Sequence, residues 1–92
     1  MAELLQEYAH TVIDADGTTY IIRTYGEERT DGTWMGWLEF HPIDEREPVL
    51  RTEQETSQPN LTALEYWATG LEPVYFDGAF ERARASTLDG QI

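Results

Sequence analysis

His10 and His41 are the only imidazoles in the chain, and with eighteen Asp and Glu side chains they are the groups from which a metal or proton-transfer site would be built. A metal site would need one of them beside carboxylates such as Asp44 or Glu45, brought together by the fold. Nothing in the spacing demands that, and an ordinary strand or surface histidine is the simpler reading. Asp14-Ala-Asp-Gly17 matches the opening of a calcium loop, but the twelfth position, where a bidentate glutamate belongs, is Tyr25. Asp and Gly there serve better as a hairpin turn. The only serines are Ser57 and Ser86, neither sits in a Gly-x-Ser-x-Gly elbow, and there is no cysteine, so nucleophilic catalysis has no candidate. One residue in five is acidic, which makes any chosen pair of carboxylates uninformative for glycoside chemistry. Gly32 and Gly36 read as a turn and a strand position, not as a loop opening a helix, so phosphate-cradle and dinucleotide patterns are absent. No cofactor and no metal are implied. One chemical option stays open: a pocket between sheet and helix lined by Tyr20, Trp67 and Tyr75, with Glu39 or His41 supplying polarity.

The elements that would position these groups start from the aromatic run Gly32 to Phe40. As a strand it places Trp34, Gly36, Leu38 and Phe40 on one face and Thr33, Met35, Trp37, Glu39 and His41 on the other. The first face builds the core. The second is also partly apolar: Met35 and Trp37, joined by Tyr25 from a neighbouring strand, form a candidate protein-contact patch unless Leu4 and Leu5 fold over it. By parity Trp37 cannot share the core of Leu38 and Phe40 in a regular strand, and a bulge at Gly36 is the main escape.

Tyr8 to Asp14 and Thr19 to Tyr25 read as strands joined at Ala15-Asp-Gly-Thr18 by a type I′ or related turn. Arg29-Thr-Asp-Gly32 then turns the chain into the Trp34 strand, giving an antiparallel meander of three strands. After the acidic loop Ile43 to Pro48, Val49 to Gln54 reads as a short, charge-protected edge strand. Ser57 is the expected N-cap of a helical segment, with Pro59 in its first turn. Leu61, Leu64, Trp67, Ala68, Leu71, Val74, Tyr75, Ala79 and Ala83 recur at helical spacing across Gly70 and Pro73, which predicts one kinked helix or two helices sharing a buried face. Leu64, Trp67 and Leu71 are expected against Leu38 and Phe40. The Asn60-Leu-Thr62 sequon reads as helix initiation. The fold class is therefore α+β, a three- to four-stranded antiparallel meander with C-terminal helix on one face. Residues 1–92 form one domain, with 1–7 and 86–92 expected to fray.

A chain of 92 residues with eleven aromatic side chains can bury roughly 60–70% of its unfolded surface, enough for one core. The absence of cysteine, of a basic leader and of any apolar run near ~18 residues favours a cytoplasmic location and no membrane partner. Net charge is −12, with six arginines and no lysine. Phosphate backbones are repelled by such a field, so direct nucleic-acid binding is not expected. The acidity suits solubility or a basic partner.

Asp14-Ala-Asp-Gly-Thr-Thr-Tyr-Ile-Ile, Thr52-Glu-Gln-Glu-Thr and Ala63-Leu-Glu-Tyr-Trp-Ala68 give a strand, turn, strand and helix order that resembles HicB-type antitoxins. The resemblance covers about half the chain. It implies a sheet with a helix on one face and a small basic RNA-cleaving toxin as partner. The Trp34 strand and acidic loop are inserted between the matching pieces, and an appended DNA-binding element is absent. The stretches Gly32 to Phe40 and Gln58 to Ala83 also resemble a small family of acidic bacterial proteins, a likeness that implies no activity. The preferred functional expectation is a non-catalytic interaction module, antitoxin-like or adaptor-like, whose partner is a basic protein or a second copy. The alternative is a small-molecule-binding or enzymatic domain using the sheet–helix pocket.

Overall fold

The structure, a computed structural model, describes the backbone of residues 1–89 and side chains through Ser86. Three long strands, β1 (Glu3–Ile13), β2 (Thr19–Glu28) and β3 (Trp34–Pro42), form the antiparallel meander. Both connections use one device. Gly17 and Gly32 adopt φ of 85° and 87°, and their amides donate to the carbonyls of Asp14 and Arg29 at 3.1 and 3.0 Å. One left-handed residue per turn marks a type I turn followed by a glycine bulge, since type I′ would need two. An aspartate locks each: Asp14 Oδ1 accepts the amides of Asp16 and Thr18, both at 2.9 Å, and Asp31 Oδ1 accepts the amide and hydroxyl of Thr33 at 2.9 and 2.6 Å.

Residues 1–7, expected to fray, include the first five residues of β1. Glu3 and Leu4 pair with Gly26 and Tyr25, so the backbone there is spent in the ladder. Leu4 and Leu5 accordingly lie within the sheet edge and do not fold over the second face. The β1–β2 register shifts between Leu4 and Gln6 and again between Glu7 and Thr11, bulges that blunt this edge. The other edge is divided: β4 (Leu50–Arg51) pairs with Glu39 and Phe40, and β5 (Thr56–Gln58) pairs with Trp34 to Gly36, both on β3. Between them Thr52, 1% exposed, donates its amide to the Leu38 carbonyl at 2.9 Å and accepts the Leu38 amide on Oγ1 at 3.0 Å.

Ser57 is therefore a strand residue opposite Met35 and not the helix cap. Asn60 caps α1 (Leu61–Thr69), with φ −158°, ψ 172° and Oδ1 accepting the Ala63 amide at 2.8 Å. The second helix, α2 (Pro73–Asp89), opens on proline. Of the expected frayed tail, residues up to Asp89 are helical in backbone, and 90–92 lie outside the described residues. Beyond the break at residues 70–72 the expected register holds in part: Ala79 and Ala83 are buried and Leu71 and Tyr75 half-buried, but Val74 is 76% exposed, and Phe76 and Phe80, which the spacing passes over, complete the buried face of α2.

Both helices cover the same sheet face. Phe80 lies 5.2 Å from the rings of both Tyr20 and Phe40, and Phe76 4.6 Å from Tyr8, around fully buried Ile22 and Leu38. Trp67 and Leu71 pack partly buried against this cluster, and Leu64 is 0% exposed. Leu64 sits where Gly26 and Gly36 oppose each other across β2 and β3, a notch with no room for a side chain. The Tyr8 hydroxyl donates to the Ala68 carbonyl at 2.6 Å and lies 2.5 Å from the Thr24 hydroxyl, tying the end of α1 to the sheet.

Candidate functional site

The uncovered sheet face carries the residues that parity assigns to it. Register sets Ile21 opposite His41, Arg23 opposite Glu39, Tyr25 opposite Trp37 and Glu27 opposite Met35, with no bulge at Gly36. Trp37 stacks on Tyr25 with ring centroids 6.2 Å apart and 15° between planes. Yet Trp37 is only 1% exposed, which corrects its reading as an exposed contact. Its cover is a side chain and not an element: the Arg51 guanidinium, brought by the two residues of β4, lies 4.1 Å above the indole. Glu39 completes the arrangement, accepting the Trp37 indole N–H and meeting His41 Nε2, each at 2.9 Å. Tyr25 and Met35 remain half-buried at the surface of this face.

The alternative pocket is not assembled. Tyr20 points to the helix side, 4% exposed under Phe80, while Glu39 and His41 lie on the opposite face of the sheet, as strand alternation requires. Trp67 and Tyr75 do meet edge to face, 6.1 Å apart, at the seam between the helices. The space between sheet and helices is filled by Phe76, Phe80, Leu38 and Phe40.

A polar knot lies at the far end of Tyr75. Its hydroxyl donates to Glu55 Oε1 at 2.5 Å, and Arg82 forks onto the same carboxylate at 2.6 and 3.0 Å. The Glu55 side chain is 8% exposed. Burial pushes Glu55 up, but Arg82 and the Tyr75 hydroxyl outweigh it and hold the carboxyl below its usual range. Burial and the adjoining carboxylate push the Tyr75 phenol up to about 12. Neither group is poised for proton transfer near neutral pH, so the knot is a clamp joining α2 to the segment between β4 and β5. Among the described residues no group of three or more His, Cys, Asp or Glu is placed to hold a metal, and no buried side-chain polar atom lacks a hydrogen bond.

Sequence reasoning missed the apolar surface that α1 presents to solvent. Ala63, Tyr66, Trp67, Gly70 and Leu71 line an open groove of about 770 Å³, rimmed by Gln58 and Asn60. Tyr66 is 83% exposed and Trp67 half-buried. The signal was present: Tyr66 is an aromatic off the buried stripe of a helix whose core positions, Leu64 and Ala68, are already filled. No basic residue occurs between Arg51 and Arg82, whereas Glu53, Glu55, Glu65, Glu72, Asp77 and Glu81 do, so the segment that carries the groove contributes only negative charge, and cations reach it from outside, Arg29 on Ser57 and Gln54 and Arg82 on Glu55. Comparison with protein families, with curated proteins and with solved structures finds no match.

Proposed function

We propose that this chain is a non-catalytic protein-interaction module that receives a cationic protein in the groove along α1. The observation that carries the reading is Tyr66, 83% exposed beside half-buried Trp67, on a segment whose own charges are all negative. Tyr and Trp dominate binding energy at protein contacts, and a net charge of −12 steers a basic partner toward them. The strand, turn and helix order that resembles HicB-type antitoxins fits this kind of partner. Glu55 is spent in a clamp and Glu39 in bonds to Trp37 and His41, which supports the non-catalytic reading over an enzymatic one.

The test is a photo-cross-linking amino acid at position 66 in the cells that make the protein. Discrete adducts with basic proteins are expected, and the purified pair should dissociate as salt rises. Absence of adducts at position 66, or a partner whose binding ignores both Tyr66→Ala and salt, refutes the reading.

A further inference from the structure

We infer that two copies of this chain associate through the uncovered sheet face, face against face about a twofold axis. The inference stands on a different surface from the α1 groove and does not depend on it. Both helices lie on one side of the sheet, so among the described residues no element covers the other side. The apolar side chains Ile21, Tyr25 and Met35 sit half-buried across its middle. Leu4 and Ile13, 55% and 65% exposed, share this face on β1. Ile43 and Val49, 62% and 46% exposed, border it in a groove with Ile21 and Arg23.

Charge selects the occupant. The cations Arg23 and Arg51, with Arg29 reaching over to Ser57 opposite Met35, stand against the anions Glu7, Glu27 and Glu39. Half of the six arginines thus stand with three of the eighteen acids, or with five where Glu45 and Glu47 of the bordering groove are counted, so most of the net charge of −12 falls on the rest of the surface. Repulsion between two such bodies is least where this face meets itself. A cationic partner gains little from a face of such small charge, whereas a second copy meets less repulsion here than at the α1 groove. A face carrying both signs is self-complementary under a twofold, the isologous arrangement. Docking does not strand Arg23, which already pairs with Glu7 at 2.7 Å within each copy, and it leaves Arg51 over Trp37 and Arg29 on Ser57 and Gln54 free to meet carboxylates of the other copy.

Strands of eleven, ten and nine residues with the five residues of β4 and β5, at about 4.8 Å between strands and about 3.3 Å per residue, give a face of about 550 Å² before side-chain relief, the scale of a weak self-association.

Sedimentation equilibrium of the purified chain from micromolar to near-millimolar concentration tests the inference. A dimer is expected, and it should tighten as salt screens the repulsion between the two bodies, the opposite sign to capture of a cationic protein. Leu4→Glu with Ile13→Glu alters side chains already exposed in the single copy, and should weaken the dimer at least about tenfold with the thermal midpoint held. Thr11→Glu, exposed on the same face, is the second variant should the first fail to fold. A monomer throughout the range overturns the inference. So does a dimer that both face variants leave intact, or one that Tyr66→Glu abolishes.

Discussion

Gly26→Ala probes the packing that fixes α1 on the sheet. Gly26 and Gly36 are cross-strand partners, and a methyl on Gly26 would stand 2.5 Å from one Cδ of Leu64, while a methyl on Gly36 would stand 2.7 Å from the other. Leu64 is 0% exposed, so its isobutyl group has no free volume into which to swing. Overpacking of this kind costs about 1–3 kcal/mol, and replacing a strand glycine returns about 0.5–1 kcal/mol of backbone entropy, leaving a net loss of about 0.5–2 kcal/mol. Leu64→Ala alone removes both methyls and leaves a void, at about 2–5 kcal/mol. In that background the closest remaining neighbours of the new methyl at position 26 include Leu5 Cδ1 at 3.1 Å and the Met35 carbonyl at 3.5 Å. The substitution that destabilised the parent should then become neutral or stabilising, so that the double variant falls short of additivity by about 1–3 kcal/mol. Urea melts of the parent, the two single variants and the double variant give the cycle directly. Additivity within about 0.5 kcal/mol, or a Gly26→Ala chain as stable as the parent, would show that Leu64 is not seated between the glycines.

Trp37→Ala should cost about 3–5 kcal/mol in denaturant melts, since the indole is 1% exposed beneath Arg51; a loss under about 1 kcal/mol would mean that the guanidinium does not cover it. Asn60→Ala should lower stability by about 0.5–2 kcal/mol and Ser57→Ala by less than about 0.5 kcal/mol, and the reverse order would return the helix cap to Ser57. The clamp should act on both limbs of the pH–stability curve. Tyr75 holds its proton more tightly when folded, so its contribution is whole below the ordinary phenol range and is lost as pH rises through about 12; Tyr75→Phe should flatten part of that alkaline limb. Glu55 holds its proton less tightly when folded, so its contribution is whole above the ordinary carboxylate range and is lost as pH falls through the depressed value; Glu55→Gln should flatten part of the acid limb. Mixed with duplex DNA or RNA near physiological salt, the chain should cause no gel retardation, and micromolar binding would contradict the charge argument.

The meander was legible because Asp-Gly-Thr at both turns leaves the backbone one economical conformation, and because alternation along Trp34 to Phe40 sets Trp37 apart from Leu38. Its burial was not legible. Arg51 reaches the indole from a two-residue strand that no periodicity reveals, and a side chain lid leaves no pattern in the sequence around the residue it covers. The helical region was legible except around the break. The spacing carried through Gly70 to Glu72 picks out Ala79 and Ala83, which are buried, but also Val74, which is exposed, and passes over Phe76 and Phe80, which form the centre of the core. A helix that restarts at Pro73 has its own phase, and Phe76, Ala79, Phe80 and Ala83 keep that phase internally. Ser57 outranked Asn60 as a cap for want of β5, whose pairing with β3 takes the serine backbone into the sheet.

The placement of the arginines joins the two proposals. Arg82 is spent on Glu55, Arg84 on Glu81 and Arg46 on Asp44, so the cations outside the uncovered face each answer a carboxylate in contact with them. The other three sit on or over that face. The acidic excess is therefore not spread evenly: it is concentrated on the helix side and the loops, and relieved where the sheet is bare. A uniformly acidic body would remain monomeric and attract cations indiscriminately. One with a balanced apolar face and an aromatic groove in acidic surroundings can do two separate things, whose responses to salt run in opposite directions. Raising the ionic strength on a single sample that contains this chain and a basic partner should loosen the mixed complex while tightening the self-complex. Movement of both in the same direction would show that one surface had been mistaken for two.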